Sequence, residues 1–186
     1  MLIFIKMKKN LERIIEIPEG IDVKVDGDVV SFCGNSKEIS KKFNFSGIKI
    51  SIEGKNVKLT SKDATRRESK MIGTIWANIN NMIGGINEDF VYKLEICNVH
   101  FPMNVKVEGD NVVIKSFLGE TVSRNAKIMK DTKVEVKGNQ ITVSSHNREN
   151  AGQTAANIEK ATRLSGRDRR IFQDGIFITE KCGRGV

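Results

Sequence analysis

Polar and apolar residues alternate along much of this chain, and the alternation recurs. Ile21, Val23 and Val25 are separated by polar positions, Asp26-Gly27-Asp28 interrupts, and Val29-Val30-Ser31-Phe32 resumes. A period of two buries one face of a strand, and glycine in the interruption tolerates a positive φ, so a β-hairpin is expected here. A second hairpin is expected from Ile48, Ile50 and Ile52, the turn Gly54-Lys55-Asn56, and Val57 and Leu59. The period then changes. Met71, Ile72, Ile75, Trp76, Ile79, Met82 and Ile83 recur at spacings of three and four, the stripe of an amphipathic helix. Thr65 and Glu68 fit a capping box at its start, and Gly84-Gly85 is expected to end it. Phe90 to Ile96 reads as a closing strand.

The whole series then repeats, about 84 residues later. Pro18 recurs as Pro102, and Val23-Lys24-Val25-Asp26-Gly27 as Val105-Lys106-Val107-Glu108-Gly109. Val29-Val30 matches Val112-Val113, and Gly34 matches Gly119. The second hairpin, Ile50 to Val57, matches Val134 to Ile141, with Gly138 in the place of Gly54. A second helix follows, with Asn150 as its expected cap, Ala151, Ala155, Ile158 and Leu164 on its apolar side, and Gly166 beyond. Ile176 to Thr179 is the second closing strand. The small stripe implies a helix seated close to its sheet.

The fold class is therefore α+β: a tandem duplication of a small domain with antiparallel sheets and one helix around a single core. Residues 1–16 form an N-terminal extension, 17–97 the first repeat, 98–180 the second and 181–186 a C-terminal tail. Residues 1–6 match nothing later, which makes Met7 a candidate translation start beside Met1.

Composition narrows the function. The 186 residues carry 31 Lys+Arg against 23 Asp+Glu, a formal charge of +8, which favours a polyanionic partner. No apolar run approaches the roughly 20 residues of a membrane helix, so no membrane partner is expected. Cys33, Cys97 and Cys182 are odd in number and far apart, as expected of reduced thiols rather than a disulfide framework or zinc site. His100 and His146 have no ligand or catalytic partner at a recognisable spacing, and no phosphate cradle or nucleophile elbow occurs. Neither an enzyme nor a cofactor is expected.

The kind of base differs between the halves more than the number. Arg13, Arg66 and Arg67 lie in the first half; Arg124, Arg148, Arg163, Arg167, Arg169, Arg170 and Arg184 lie in the second. Guanidinium grips phosphate bidentately and stacks on bases, whereas lysine acts as a point charge. Residues 163–170 form a cluster directly after the second helix. If the last strand returns beside that helix, Lys160, Lys181 and Arg184 share one end of the domain with Arg163, Arg167, Arg169 and Arg170. Phe32, Phe43, Phe45, Phe90, Phe117 and Phe177 sit in apolar contexts and are assigned to the core. The paired aromatics of a single-strand RNA platform are missing, which favours contact with structured RNA through backbone and shape.

The stretch Arg169-Arg170-Ile171-Phe172-Gln173-Asp174-Gly175-Ile176-Phe177-Ile178, preceded by Gln153-Thr154-Ala155-Ala156-Asn157-Ile158, resembles ribosomal protein six of the large subunit, the universal L-six family in its archaeal and eukaryotic form. Ile17-Pro18-Glu19-Gly20 and the duplication carry the same resemblance, over residues 14 to 182. It implies a structural role in the large ribosomal subunit, in the cytoplasm, with binding to large-subunit rRNA near the sarcin–ricin loop and the translation-factor site. It further implies neighbouring ribosomal proteins as partners and translation factors nearby. On matching motif positions it assigns RNA contact to Gln153, Asn157, Arg163, Arg169 and Arg170, and makes the second domain the main RNA-gripping one. Asp174-Gly175 is read as structural, Gly for a turn and Asp to hold the loop. The alternative is a two-domain enzyme or small-molecule-binding protein with a site between the lobes, where His100 and Cys97 are the residues to suspect.

Overall fold

The computed structural model describes residues 9–35, 37–43, 47–54 and 56–186; the expectations for residues 1–6, Met7 and Phe45 lie outside these. The chain divides into two units, Met1–Glu88 and Asp89–Val186. In the first, strands β1 (Lys9–Glu16), β2 (Asp22–Asp26), β3 (Val29–Gly34), β4 (Lys37–Lys42), β5 (Lys49–Glu53) and β6 (Asn56–Ala64) precede helix α1 (Arg66–Asn87). In the second, β7 (Phe90–Cys97), β8 (Asn104–Glu108), β9 (Asn111–Lys115), β10 (Arg124–Lys127), β11 (Lys133–Lys137) and β12 (Gln140–Ser145) precede α2 (Arg148–Ala161). Strands β13 (Gly175–Lys181) and β14 (Arg184–Gly185) complete it.

Among the described residues each unit has two antiparallel sheets. The first contains β5-β6-β1 and β2-β3-β4; the second contains β11-β12-β7-β13-β14 and β8-β9-β10. The duplicated hairpins share their register. Val25 faces Val30 as Val107 faces Val112, and Ile52 faces Val57 as Val136 faces Ile141. The glycines opening these four turns, Gly27, Gly54, Gly109 and Gly138, all have φ near +60°, a conformation that costs glycine nothing.

The register corrects one repeat match. Val30, not Val29, is the counterpart of Val112, and Asn111 stands where Val29 stands. A slip of one residue turns a strand's side chains to the other face, and the fully buried pair is Val30 and Val112.

The domain boundary also differs from expectation. Phe90–Cys97 does not close the first copy; every ladder of β7 is with a strand of the second, β12 or β13. Its buried positions Tyr92, Leu94 and Ile96 enter the second core. Nor are residues 9–16 an extension, because β1 pairs with β6 along its length and buries Ile15. The repeat thus begins with this strand, and β1 and β7 occupy equivalent places. A strand between two copies carries the same period whichever core it joins, so periodicity does not assign it. The short β4 and β10 were not foreseen; each buries one apolar residue, Ile39 or Ala126.

Helix α1 starts at the expected capping box, where the Thr65 backbone N–H donates to Glu68 Oε2 at 2.8 Å. It runs through Gly84-Gly85 to Asn87, because Ile83 and Ile86 still bury against the first core. Trp76 is not part of the buried stripe; it is 40% exposed, with the Arg13 guanidinium 5.5 Å from its ring. Helix α2 is capped by Asn147, whose side chain accepts from Glu149 N at 3.0 Å, not by Asn150. It ends before Leu164, which packs on the second core from the loop beyond.

The C-terminal residues are a hairpin rather than a tail. Lys181 pairs with Arg184 across Cys182-Gly183, both at positive φ, the type I′ form of a two-residue hairpin turn.

Candidate nucleic-acid interface

Helix α2 carries the residues that organise the second unit's cationic side. Alanine at positions 151 and 155 lets it lie on the sheet, and Gly152 meets the Tyr92 hydroxyl so closely that a Cβ there would sit 3.1 Å from it. One edge of the helix holds the loop after β10. Asn150 Nδ2 donates to Lys130 O at 3.1 Å, Met129 N to Thr154 Oγ1 at 3.0 Å, and Asn157 Nδ2 to Lys127 O at 2.9 Å. Gln153 Nε2 donates to Asn157 Oδ1 at 2.8 Å. Asn157 therefore holds backbone, and Gln153 braces it. Lys127, Lys130, Gln153, Lys160 and Arg163 are exposed along this side.

The C-terminus of α2 is closed from two directions. Arg124 Nη1 donates to Ala161 O at 2.9 Å, its Nε and Nη2 donate to the Glu120 carboxylate at 2.7 and 2.6 Å, and its guanidinium lies 4.4 Å from the Phe117 centroid. The hydrogen bonds from Arg124 hold Glu120 below the usual carboxylate range. Thr162 Oγ1 accepts from Ile176 N at 2.9 Å and ties the helix end to β13. One of the second half's seven arginines is thus a structural cap.

From there the loop turns out at Gly166 and makes one tight turn at Asp168. Phe172 N donates to Asp168 O at 2.9 Å, Arg170 N to Asp168 Oδ1 at 2.9 Å, and the Arg170 guanidinium to Asp168 Oδ2 at 2.9 Å. Arg170 is accordingly half-committed, and its hydrogen bonds lower the Asp168 carboxyl. Lys160, Arg163 and Arg169 are exposed and make no ion pair among the described residues.

The loop's far end is anchored by Asp174, which is 1% exposed. Val99 N donates to its Oδ1 at 2.7 Å and His100 N at 2.9 Å; His100 Nδ1 lies 2.6 Å from its Oδ2. Burial alone would raise this carboxyl, but the bonds from the His100 backbone, the His100 ring and Val99 N–H outweigh it and the group is held low. His100 also stacks on Phe172, with centroids 5.1 Å apart, and the Arg167 guanidinium lies 4.8 Å from the same ring. His100 is therefore part of the loop's clamp. Sequence reading assigned Asp174 the holding role but missed its partner; an Asp-Gly closing an arginine-rich loop is a signal, and the seventy-four-residue separation hides the other half.

Three other expectations change. Gly175 does not make a turn. It opens β13 without a positive φ, and is glycine because a Cβ would lie 3.0 Å from the Phe177 ring. Phe177 is not core but 40% exposed on the outer face of β13. Lys181 and Arg184 do not join the loop arginines either. Because β13 returns antiparallel to α2, it starts at the helix end and finishes near its beginning, where Cys182 N donates to Val91 O at 3.0 Å. Six residues of strand, about 20 Å, separate Gly175 from Lys181. The structure brings together Lys160, Arg163, Arg167, Arg169 and Arg170, and leaves the other pair at the opposite end.

Among the described residues no group of three or more His, Cys, Asp or Glu could hold a metal ion, and no helix is long and apolar enough to cross a membrane. Two copies of one α+β module, the second bearing a clamped cationic loop, define the class: a duplicated α+β protein with one cationic end. The family model described as ribosomal protein L6 matches the chain twice, over residues 17–89 and 101–175, and the chain belongs to this family. Large ribosomal subunit protein uL6 of Methanosarcina mazei is 45% identical over 95% of this chain and 100% of its own length. The uL6 proteins of Methanococcus vannielii (45% identity, 91% of this chain, 93% of the relative) and Methanobrevibacter smithii (44%, 90% and 94%) are similar throughout as well.

Proposed function

We propose that this protein is a structural constituent of the large ribosomal subunit in the cytoplasm, and that its second unit binds large-subunit rRNA near the sarcin–ricin loop and the translation-factor site. The observation that carries the RNA-binding reading is the loop from Arg163 to Gln173. It presents exposed arginines, of which Arg163 and Arg169 make neither an ion pair nor a ring contact among the described residues, on a segment fixed at Asp168 and Asp174. A fixed loop spends little conformational entropy on binding, and exposed guanidinium groups are matched to phosphate. Gln153 and Lys160 extend this surface along α2, while Asn157 supports it from beneath; Lys181 and Arg184 form a separate cationic end available to a second stretch of RNA. Neighbouring large-subunit proteins complete the surroundings, with translation factors close by.

Two measurements test this. The protein should stay with large subunits through a moderate-salt sucrose gradient, and crosslinked rRNA should map to peptides from residues 148–186. Release into the free-protein fractions at moderate salt, or crosslinks confined to the first unit, would contradict the proposal.

A further inference from the structure

We propose that a hollow beside the arginine loop is a subsite for one unstacked nucleobase of the bound RNA, with Phe177 as its stacking platform and Arg169 as the clamp on the adjoining phosphate. This rests on the rRNA-binding reading and specifies how the site reads its partner. The hollow has a volume of about 400 Å³ and is lined by Cys97, Val99, Leu164, Phe172 and Phe177, with Arg169, Gln173 and Asp174 at its polar side. That size falls within the range of small-ligand sites, roughly 300–1,000 Å³.

Large apolar side chains lie exposed together in and beside it. Val99 is 61% exposed, Ile171 on the adjoining loop 64%, and Phe177 40%. Their exposure follows from the fold. Phe177 occupies the outward position of β13 between Ile176, fully buried, and Ile178, half-buried. The missing side chain at Gly175 lets the ring lie along the strand, with Cζ where a Cβ would crowd it. Phe172 is already engaged by His100 and Arg167, so it serves as a fixed wall, and Phe177 is the aromatic surface left open.

Charge says which ligand suits this place and which way it lies. Arg169 lines the hollow, and the arginines at 163, 167 and 170 belong to the same loop, which favours an anion outside an apolar pocket. On the strand side, Glu95 stands directly opposite Phe177 in the ladder and is exposed. A carboxylate there repels phosphate, so the phosphate belongs on the Arg169 side and the base over Phe177. Gln173 donates its amide N–H to Arg170 O at 3.2 Å, which turns its carbonyl oxygen free to accept from a base edge. An aromatic base attached to a phosphate combines these requirements; bases splayed from RNA loops are held on aromatic rings in this way.

The test uses the full chain and an in-vitro transcript of large-subunit rRNA, with filter binding and base-specific chemical probing of the complex. Phe177→Ala is expected to weaken binding roughly 5- to 100-fold, the range for one lost base–aromatic stack. Phe177→Trp should bind like the original, and one nucleotide should lose reactivity at its base edge with Phe and Trp but regain it with Ala. Phe177→Leu keeps the apolar contact without the ring, should fold even if the alanine variant does not, and is expected to bind weakly. Unchanged affinity and reactivity with Leu overturns the subsite while leaving rRNA binding intact. Failure of the unsubstituted protein to prefer this transcript over an unrelated RNA overturns the rRNA-binding reading and the subsite with it.

Discussion

The two units share hairpin registers, turn glycines and a helix in the same order, yet differ in how each finishes its sheet and what each offers outside. In the first, α1 is 22 residues long and buries Ile72, Ile75, Ile79, Met82, Ile83 and Ile86. In the second, α2 has 14 residues and buries chiefly Ala151, Thr154, Ala155 and Ile158. The second unit also packs β13 beside α2, where it adds Ile176 to the core and pairs with β7. Among the described residues, the equivalent strand β1 pairs with β6 alone. The connection from α2 to β13 is the arginine loop. One added strand thus completes a sheet and supplies the segment that carries the cationic surface. Duplication preserved the packing unit, and the difference in surface charge lies in the appendage.

Stability variants sharpen this contrast most. Ile79→Ala removes a fully buried side chain from α1 and should cost the first unit about 4 kcal/mol, within the usual range for such truncations. Trp76 is the only tryptophan and lies in the first unit, so its fluorescence follows this unfolding during a urea titration. Rescue of the first unit's transition by anything other than repacking would contradict a core organised around α1.

Asp174→Ala should act on the second unit alone, at about 3 kcal/mol, because Val99 N, His100 N and the His100 ring lose a buried charged acceptor. The Asp174 carboxyl is held low in the folded protein, so its contribution is complete above the ordinary aspartate value near 3.9 and declines as pH falls through the lower folded value. The gap between the original and Asp174→Asn, followed by Tyr92 emission or calorimetry from pH 7 downward, should close on acidification. A gap that widens in acid would refute the assignment.

The RNA comparison comes next. Arg169→Ala with Arg170→Ala should weaken rRNA binding roughly a hundredfold, with about 2 kcal/mol from the charge-assisted contact of Arg169 and the smaller remainder from Arg170. Arg66→Ala with Arg67→Ala, at the start of α1, should change it little. Each lost phosphate contact should also flatten the log–log salt dependence by nearly 1. Since Asp168 engages Arg170, the Arg169 change alone should account for most of the loss. Equal losses from the two double variants would erase the proposed asymmetry. The smallest effect is expected at Thr65→Ala, which removes the capping box of α1 and should cost about 1 kcal/mol, seen as a lower urea midpoint with unchanged rRNA affinity.

Much of this organisation was legible in the chain. Alternation around Gly27, Gly54, Gly109 and Gly138 marked the hairpins, because two-residue turns need a left-handed residue. Thr65 and Glu68 marked the first helix start. The arginine cluster of residues 163–170 was visible as composition. Less legible were residues whose role depends on a distant neighbour. Phe177 looks like a core phenylalanine, since Ile176 and Ile178 flank it, and only the sheet face distinguishes them. Asn157 looks like an exposed helix residue available to RNA until Lys127 O is found beneath it.

The sequence by itself determined the duplication, the α+β class and the bias of arginine toward the second copy, because period, turn chemistry and composition are local properties. The tertiary structure alone decided that β7 belongs to the second core and that Asp174 grips His100. It also decided that Lys181 and Arg184 lie at the end of the sheet away from the loop. Each of these is a pairing between segments far apart in the chain. Local residue patterns say that a strand or a charge exists, and only the packed chain says which partner it meets.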